Sequence, residues 1–183
     1  MDIISLRRFS INLTFILLAL LPGNFGFTQN QKIIPVDKKN KIEEYIKLGQ
    51  ESEKNNDFNQ AAFYFTQAAN LNWSYSQYQS AIEEFKKALE MTEKLGNLNG
   101  MSVISTNLGM ITSEIKDFKT ARIYFQNSLE LAKRMGRKPD AASALFNIGN
   151  SYCETENFSE AIPYLEESKQ IAQELSDAKI LRN

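Results

Sequence analysis

The chain has 183 residues, 43% of them hydrophobic, and a formal net charge of −1, so it can bury one compact core and has no charge bias toward nucleic acid or an acidic surface. It contains no histidine and one cysteine, which removes the commonest general base, the commonest transition-metal ligand and any intrachain disulfide. Eight glycines and four prolines suit a helical protein better than one rich in turns.

Residues 1–28 have the three-part pattern of a secretory signal peptide. Arg7 and Arg8 form a basic start, an apolar run from 11 to 21 follows, and a short polar region comes next. The run of 11 residues is shorter than the roughly 17 to 25 that a membrane-spanning helix needs. We therefore expect cleavage between Gly26 and Gln29, and an exported protein that is periplasmic or extracellular.

Residues 29–40 are polar, include Pro35 and lack a periodic apolar stripe, which predicts a linker. Two stripes with spacings of three and four follow, one ending at Gly49 and the other starting at Phe58. This periodicity is typical of amphipathic helices. The sequence therefore predicts a repeat array over 41–183 that begins with an antiparallel helix pair.

A third helix pattern starts near Tyr78, and its alanine follows that of the preceding helix at a spacing of 81 − 61 = 20. This spacing leaves too little chain for a separate opening helix. Either the helix from Phe58 to Leu71 pairs with both of its neighbours, or the segment Asn72–Ser76 forms an irregular joint. Trp73 and Tyr75 crowd this joint together with Tyr78, and their rings are more readily explained as fillers of a packing gap than as a ligand platform.

The strongest pattern is a repeat in which the stretch 104–135 returns as 144–175, with a period of 149 − 109 = 40. A fixed period of 20 to 50 residues is the signature of an array whose units bury their apolar faces against one another. Gly and Ala facing each other would let two antiparallel helices approach closely. The corresponding residues are Leu108 and Ile148, Gly109 and Gly149, Ala121 and Ala161, and Phe125 and Leu165.

This pattern resembles the tetratricopeptide repeat, in which a large residue and Gly in the first helix precede an Ala by twelve positions and an aromatic residue or Leu by sixteen. The chain departs from that pattern at Ser105 and Leu145, where an aromatic residue usually opens the first helix, and the Tyr three positions after the Gly survives only as Tyr152. Near the end of the second helix, the small residue is a serine, Ser128 or Ser168. The 40-residue period exceeds the common length of about 34 and is similar to the long variety found in kinesin light chains and bacterial regulatory proteins. The resemblance implies an all-α fold, an α-solenoid of stacked antiparallel helical hairpins in a right-handed superhelix.

Glycine and proline mark three positions in the second helices. Gly96 and Gly136 each follow the end of a second helix, where a left-handed residue is expected. Pro163 lies inside the last second helix. The helix that contains Pro163 is predicted to close near Leu175, and the residues after it align with a link between repeats. The last repeat is therefore predicted to be incomplete, either as a stub of a capping helix or because the chain is a fragment of a longer protein.

The resemblance also implies that the first helices line a concave groove that binds a peptide or protein segment. The amides of Asn107 and Asn147 could hold an extended peptide backbone, while Met110 and Phe146 offer apolar contact. Alternatively, the two asparagines hydrogen-bond the neighbouring helix. The predicted binding residues are Thr106, Asn107, Met110, Phe146, Asn147 and Asn150, with Val103, Ser113, Ser143 and Cys153 at neighbouring groove positions.

These features favour a non-catalytic scaffold with a protein or peptide partner and without a cofactor, a metal, nucleic acid or a membrane span after signal cleavage. The family's clamp for a terminal carboxylate is not expected, because Thr106 and Phe146 stand where that clamp has lysine. An alternative is the extracytoplasmic sensory region of a longer signalling protein, such as a histidine kinase or a transcriptional regulator. An enzyme is not expected, because the acidic and basic residues lie scattered on the polar faces of helices.

Overall fold

The computed structural model describes residues 32–180, and this range contains seven α-helices and no strand. Among these residues, none of the helices combines the length and the apolar character that crossing a bilayer requires. The predicted signal peptide, and residues 29–31 of the predicted linker, lie outside the described residues. The helices are α1 (Val36–Lys54), α2 (Phe58–Ser74), α3 (Tyr78–Lys94), α4 (Leu98–Glu114), α5 (Phe118–Arg134), α6 (Lys138–Cys153) and α7 (Phe158–Ile180).

The turns between helices share one geometry, and from α2 onward the helices begin at the evenly spaced positions 58, 78, 98, 118, 138 and 158. In each turn one residue has a φ between 58° and 66°, in the left-handed region. The N–H of the next residue then donates to the carbonyl five positions back at 2.9 Å, as from Asp57 to Ser52. This bond satisfies a carbonyl that the helix end leaves open. The left-handed residues are Asn56, Ser76, Gly96, Lys116, Gly136 and Glu156.

The turn between α2 and α3 is as regular as the others, so the irregular joint is not what forms there. Ser76 has a φ of 59°, and the N–H of Gln77 donates to the Asn72 carbonyl at 2.9 Å. Helix α2 therefore packs against both α1 and α3, as the first of the two predicted arrangements requires. Trp73 meets Phe85 edge to face with ring centroids 6.1 Å apart, so its ring packs against the hydrophobic core.

Two predicted helix boundaries are wrong. Helix α1 begins at Val36, so the second half of the predicted linker is helical. Every residue in the first turn of α1 is exposed, so the sequence shows no apolar stripe there. Pro35, which precedes this turn, has a φ of −57°, close to the helical value. Helix α7 continues to Ile180 instead of closing near Leu175, because the residues after Leu175 include the good helix formers Ala178 and Lys179.

Glycine marks the closest helix crossings, as predicted. A Cβ built on Gly109 would lie 2.5 Å from Phe125, and one on Gly149 would lie 2.6 Å from Leu165, closer than atoms can pack. Gly49 has the same relation to Phe65, at 2.7 Å. A side chain larger than that of glycine at these positions would therefore force the facing side chain, or the helix that bears it, to move.

Contacts between alternate helices divide the array into two sides. Lys94 of α3 pairs with Glu53 of α1 at 3.5 Å, and Lys133 of α5 pairs with Glu167 of α7 at 3.0 Å. On the other side Arg137, which caps α6, donates to the Asn99 side chain of α4. The odd-numbered helices are thus neighbours on one side, and the even-numbered helices on the other.

Candidate functional site

Charged residues are concentrated on the odd-numbered helices. Helix α3 carries seven charged residues and α5 carries five, whereas α2 carries none and α4 carries one, Glu114. Helix α6 has two, Lys138 and Asp140. The exposed side chains of α2, α4 and α6 form what we call the even-helix face, and this face is mostly neutral.

Four large hydrophobic side chains on the even-helix face are 44% to 53% exposed. Single exposed hydrophobic residues are normal on a protein surface. Several exposed hydrophobic residues on three neighbouring helices with almost no charge indicate a binding surface. Protein interfaces are depleted in charge and enriched in aromatic residues and Met at their centres. The four residues are Phe63, Val103, Met110 and Phe146.

Side chains on this face recur at the period of the repeat, including on α2, which the sequence analysis did not assign to the groove. Gln67 precedes Asn107 by one full period, since 107 − 67 = 40, and Asn147 follows Asn107 by one more. The sequence did not predict that α2 belongs to this face, because Ala69 stands where α4 and α6 have glycine. The period itself was the signal that could have revealed these α2 positions.

The structure places five of the six predicted binding residues in two pockets between α4 and α6. A pocket of about 240 Å³, which we call the α4–α6 pocket, is lined by Met110, Asn147 and Asn150. A second pocket of about 270 Å³ is lined by Thr106 and Asn107. Phe146 is the sixth residue; it lines neither pocket and is half exposed on the same face. The other residues of the α4–α6 pocket are Ser113, Glu114, Phe118, Phe125, Ser151 and Glu154.

The two repeated asparagines on α4 and α6 differ from Thr106 in how far the chain itself satisfies them. Neither Asn107 nor Asn147 makes a side-chain hydrogen bond to another residue within 32–180. The Thr106 hydroxyl, in contrast, donates to the Ser102 carbonyl at 3.0 Å and lies 2.8 Å from the Ser128 hydroxyl. The amides are thus available to a partner, whereas the Thr106 hydroxyl is engaged inside the array.

The serines that depart from the family pattern join helices within a hairpin. The Ser168 hydroxyl of α7 donates to the Ala142 carbonyl of α6 at 2.8 Å. Ser128 of α5 is bonded to α4 through Thr106, at 2.8 Å. Both serines are buried, where a hydroxyl requires a partner. These bonds fix the even-numbered helices against the odd-numbered ones.

Arg122 is a positioning residue that the sequence analysis missed. Its guanidinium Nη1 donates to the Ser151 carbonyl at 3.1 Å, and the group lies over the Tyr152 ring with its Cζ 4.5 Å from the ring centroid. These contacts hold the last turn of α6, where the α4–α6 pocket lies. No periodic signal could have revealed Arg122, because isoleucine stands at the corresponding positions 82 and 162.

The chemistry of the face is that of binding. The groups that line the α4–α6 pocket are amides, hydroxyls, apolar side chains and two carboxylates, those of Glu114 and Glu154, and the second pocket adds Arg137 and Asp140. Across residues 32–180, no group of three or more Cys, Asp or Glu side chains is arranged to hold a metal ion. Burial raises the pKa of Tyr124, and the nearby Asp117 carboxylate raises it further, but this phenol belongs to α5, on the opposite side of the array.

Comparisons with known proteins agree with this architecture. Residues 100–174 match the family model for the tetratricopeptide repeat, and no curated protein matches the sequence significantly. The apo form of RapI is similar at 18% identity and a TM-score of 0.56, over 75% of this chain and 58% of that one. Aspartyl phosphate phosphatase F from Bacillus subtilis has the same identity and TM-score, over 78% of this chain and 43% of that one.

The TPR domain of Arabidopsis FLU is similar at 18% identity and a TM-score of 0.50, over 74% of this chain and 98% of that domain. This chain thus spans nearly all of the FLU domain but less than two thirds of RapI and of the phosphatase. At such identities the likeness shows the fold alone. Together with the family match, it supports a tetratricopeptide-repeat protein with the fold of an all-α, TPR-like solenoid.

Proposed function

We propose that this chain is a non-catalytic interaction module whose even-helix face binds an extended segment of a protein partner. One observation carries the proposal: three neighbouring helices expose apolar and amide side chains with almost no charge, while the opposite side of the array is highly charged. The similarity to TPR domains also suggests a protein-interaction scaffold.

The face offers the two kinds of contact that an extended peptide needs. Met110 and Phe146 are half-exposed apolar surfaces for side chains of the peptide. Asn107 and Asn147 each present a donor and an acceptor, which match the N–H and C=O groups of a peptide backbone. Because the two asparagines occupy the same repeat position on neighbouring helices, they can hold two points along one bound segment.

The test replaces both asparagines, Asn107→Ala with Asn147→Ala. If they hold a partner's backbone, two hydrogen bonds of about 0.5 to 1.5 kcal/mol each are lost and affinity falls about ten-fold or more. The partner is first captured from an extracytoplasmic fraction with the array as bait, and its affinity is then measured for both forms. An unchanged affinity with a lowered unfolding midpoint would mean that the asparagines stabilise the array instead.

Export remains part of the proposal and rests on the pattern of residues 1–28 alone. After expression in a secretion-competent bacterium, the mature N-terminus should lie between Gly26 and Gln29. An unprocessed N-terminus would count against a cleaved signal. The 40-residue period also favours the long variety of the repeat.

The alternative function, a sensory region of a longer signalling protein, would use the same face. Reading the coding sequence beyond Asn183 distinguishes the two: a hydrophobic span followed by a catalytic or regulatory domain would support the sensory region. A stop codon after a polar capping helix would support the scaffold.

A further inference from the structure

The α4–α6 pocket has a counterpart one repeat earlier, between α2 and α4, which we call the α2–α4 pocket. Asn70, Trp73 and Tyr78 line this counterpart, at positions one repeat period before Met110, Ser113 and Phe118 of the α4–α6 pocket. Glu114 lines the α2–α4 pocket, and Glu154, one repeat period later, lines the α4–α6 pocket. Each pocket thus combines an aromatic ring with a glutamate at the end of an even-numbered helix.

The α2–α4 pocket already receives a lysine of this chain. Lys32 lines it, and its Nζ lies 3.5 Å from the carbonyl oxygen of Ser74, the last residue of α2. The segment that carries Lys32 is not helical, and its last residue, Pro35, is extended with a φ of −57° and a ψ of 148°. The C-terminal end of a helix attracts a cation, and the apolar stem of lysine packs well along rings. The structure therefore contains one example of a non-helical segment that presents a lysine to this type of pocket.

The α4–α6 pocket offers a similar environment with more negative charge. Both charged residues that line it are acidic, Glu114 and Glu154, and within residues 32–180 neither forms an ion pair. Glu114 is the last residue of α4 and Glu154 the C-cap of α6, where helix dipoles add negative potential. Arg122, the cation that touches this lining, is engaged by the Ser151 carbonyl and the Tyr152 ring.

We infer that the α4–α6 pocket takes a lysine or arginine side chain from an extended partner segment, whose adjacent apolar residues contact Met110 and Phe146. The inference rests on the proposed function and adds the charge of the partner. At about 240 Å³, the pocket is smaller than the roughly 300 to 1,000 Å³ of sites for whole small molecules, and a single side chain suits it. Charge complementarity selects a basic side chain over an acidic or neutral one.

The test uses three capped synthetic peptides and the full chain labelled with ¹⁵N. The first peptide copies residues 31–36, Gln-Lys-Ile-Ile-Pro-Val; the second has norleucine and the third glutamate in place of its lysine. The lysine peptide should shift the amide NMR signals of Asn150 and Glu154 most strongly, and the norleucine peptide less. The glutamate peptide should have the least effect. Added salt should weaken the binding of the lysine peptide, because it screens exposed charges.

Glu154→Gln is the decisive variant and Glu156→Gln its matched control, because Glu156 is exposed in the same turn but does not line the pocket. Glu154→Gln should weaken binding of the lysine peptide roughly two- to five-fold, the scale of an exposed ion pair, and Glu156→Gln should leave it unchanged. Equal weakening by the two variants would overturn the inference. Circular dichroism should show the same unfolding midpoint for both.

The remaining outcomes separate the inference from the proposed function. Equal shifts by all three peptides on the even-helix face would overturn the choice of a basic side chain and keep the binding face. Shifts confined to the odd-numbered helices would overturn both. Shifts confined to the α2–α4 pocket, or an absence of shifts at millimolar peptide, would overturn the inference and leave the proposed function to the capture experiment.

Discussion

Replacing Gly109 with alanine tests the close crossing of α4 and α5. The added Cβ would lie 2.5, 2.6 and 2.9 Å from three atoms of the Phe125 ring, so a rigid ring or the helix that bears it must move. Overpacking of this kind costs about 1 to 3 kcal/mol, and three short contacts place the cost in the upper part of that range. The better helix propensity of alanine returns about 1 kcal/mol.

The expected net result of Gly109→Ala is a loss of about 1 to 2 kcal/mol in the free energy of unfolding. For a chain of this size that loss lowers the thermal midpoint by roughly 2 to 8 °C. Urea unfolding followed by the helical circular dichroism signal measures it directly. The slope of the free energy against urea should stay the same, because the surface exposed on unfolding changes little.

A double-mutant cycle with Phe125→Ala shows whether the ring is the cause. Phe125→Ala alone should cost about 3 to 5 kcal/mol because it leaves a cavity. In that background the alanine at position 109 has room, so Gly109→Ala should become neutral or stabilising by up to about 1 kcal/mol. If Gly109→Ala stabilises the unmodified chain by that amount, the two helices are not in close contact and the reasoning fails.

Three further perturbations have expected outcomes. Ala121→Leu and Ala161→Leu should each cost about 1 to 3 kcal/mol, because both alanines are fully buried at crossings; unchanged urea midpoints would place them on the surface. Glu84→Met should be neutral or stabilise the chain by up to about 3 kcal/mol, because the buried Glu84 carboxylate pairs through Oε1 with the Lys87 ammonium at 2.9 Å while its Oε2 has no hydrogen-bond partner within the described residues; a lower midpoint would refute this. The hydrogen bond and charge of Lys138 lower the pKa of Glu174, and a hydrogen bond from Gln170 adds to this. The pair with Lys138 therefore stabilises the fold above the ordinary carboxyl pKa, and the stabilisation is lost as the pH falls through the lowered value. Lys138→Ala should raise the pKa of Glu174, measured by NMR, toward its ordinary range.

The helical hairpin could be predicted from the sequence because close packing restricts the residues at its crossing. Gly109 and Gly149 recur one repeat period apart, and each stands against a large side chain of the next helix. The second role of α2 is less visible, since Ala69 replaces the glycine and a small residue alone does not identify a crossing. The exposed first turn of α1 left no apolar stripe at all.

The candidate site was predictable only in part. Asn107 and Asn147 repeat in the sequence, and the structure places both on pockets of one face. The engagement of the Thr106 hydroxyl by Ser128 depends on the distance between two helices, which periodicity does not give. The contrast between a neutral and a charged side of the array becomes visible only once the helices are assigned to sides.

Placing a charge on each side of the array tests the even-helix face most directly. Phe146 of α6 and Ile123 of α5 are exposed to similar extents, 50% and 58%, so Phe146→Glu and Ile123→Glu are matched variants on opposite sides. The measurement is the Kd of each variant for the captured partner, with equal unfolding midpoints as the condition for comparison. Phe146→Glu should weaken binding about ten-fold or more, and Ile123→Glu should leave it unchanged. Weakened binding by Ile123→Glu, with Phe146→Glu unaffected, would contradict the proposal that the partner binds the even-helix face.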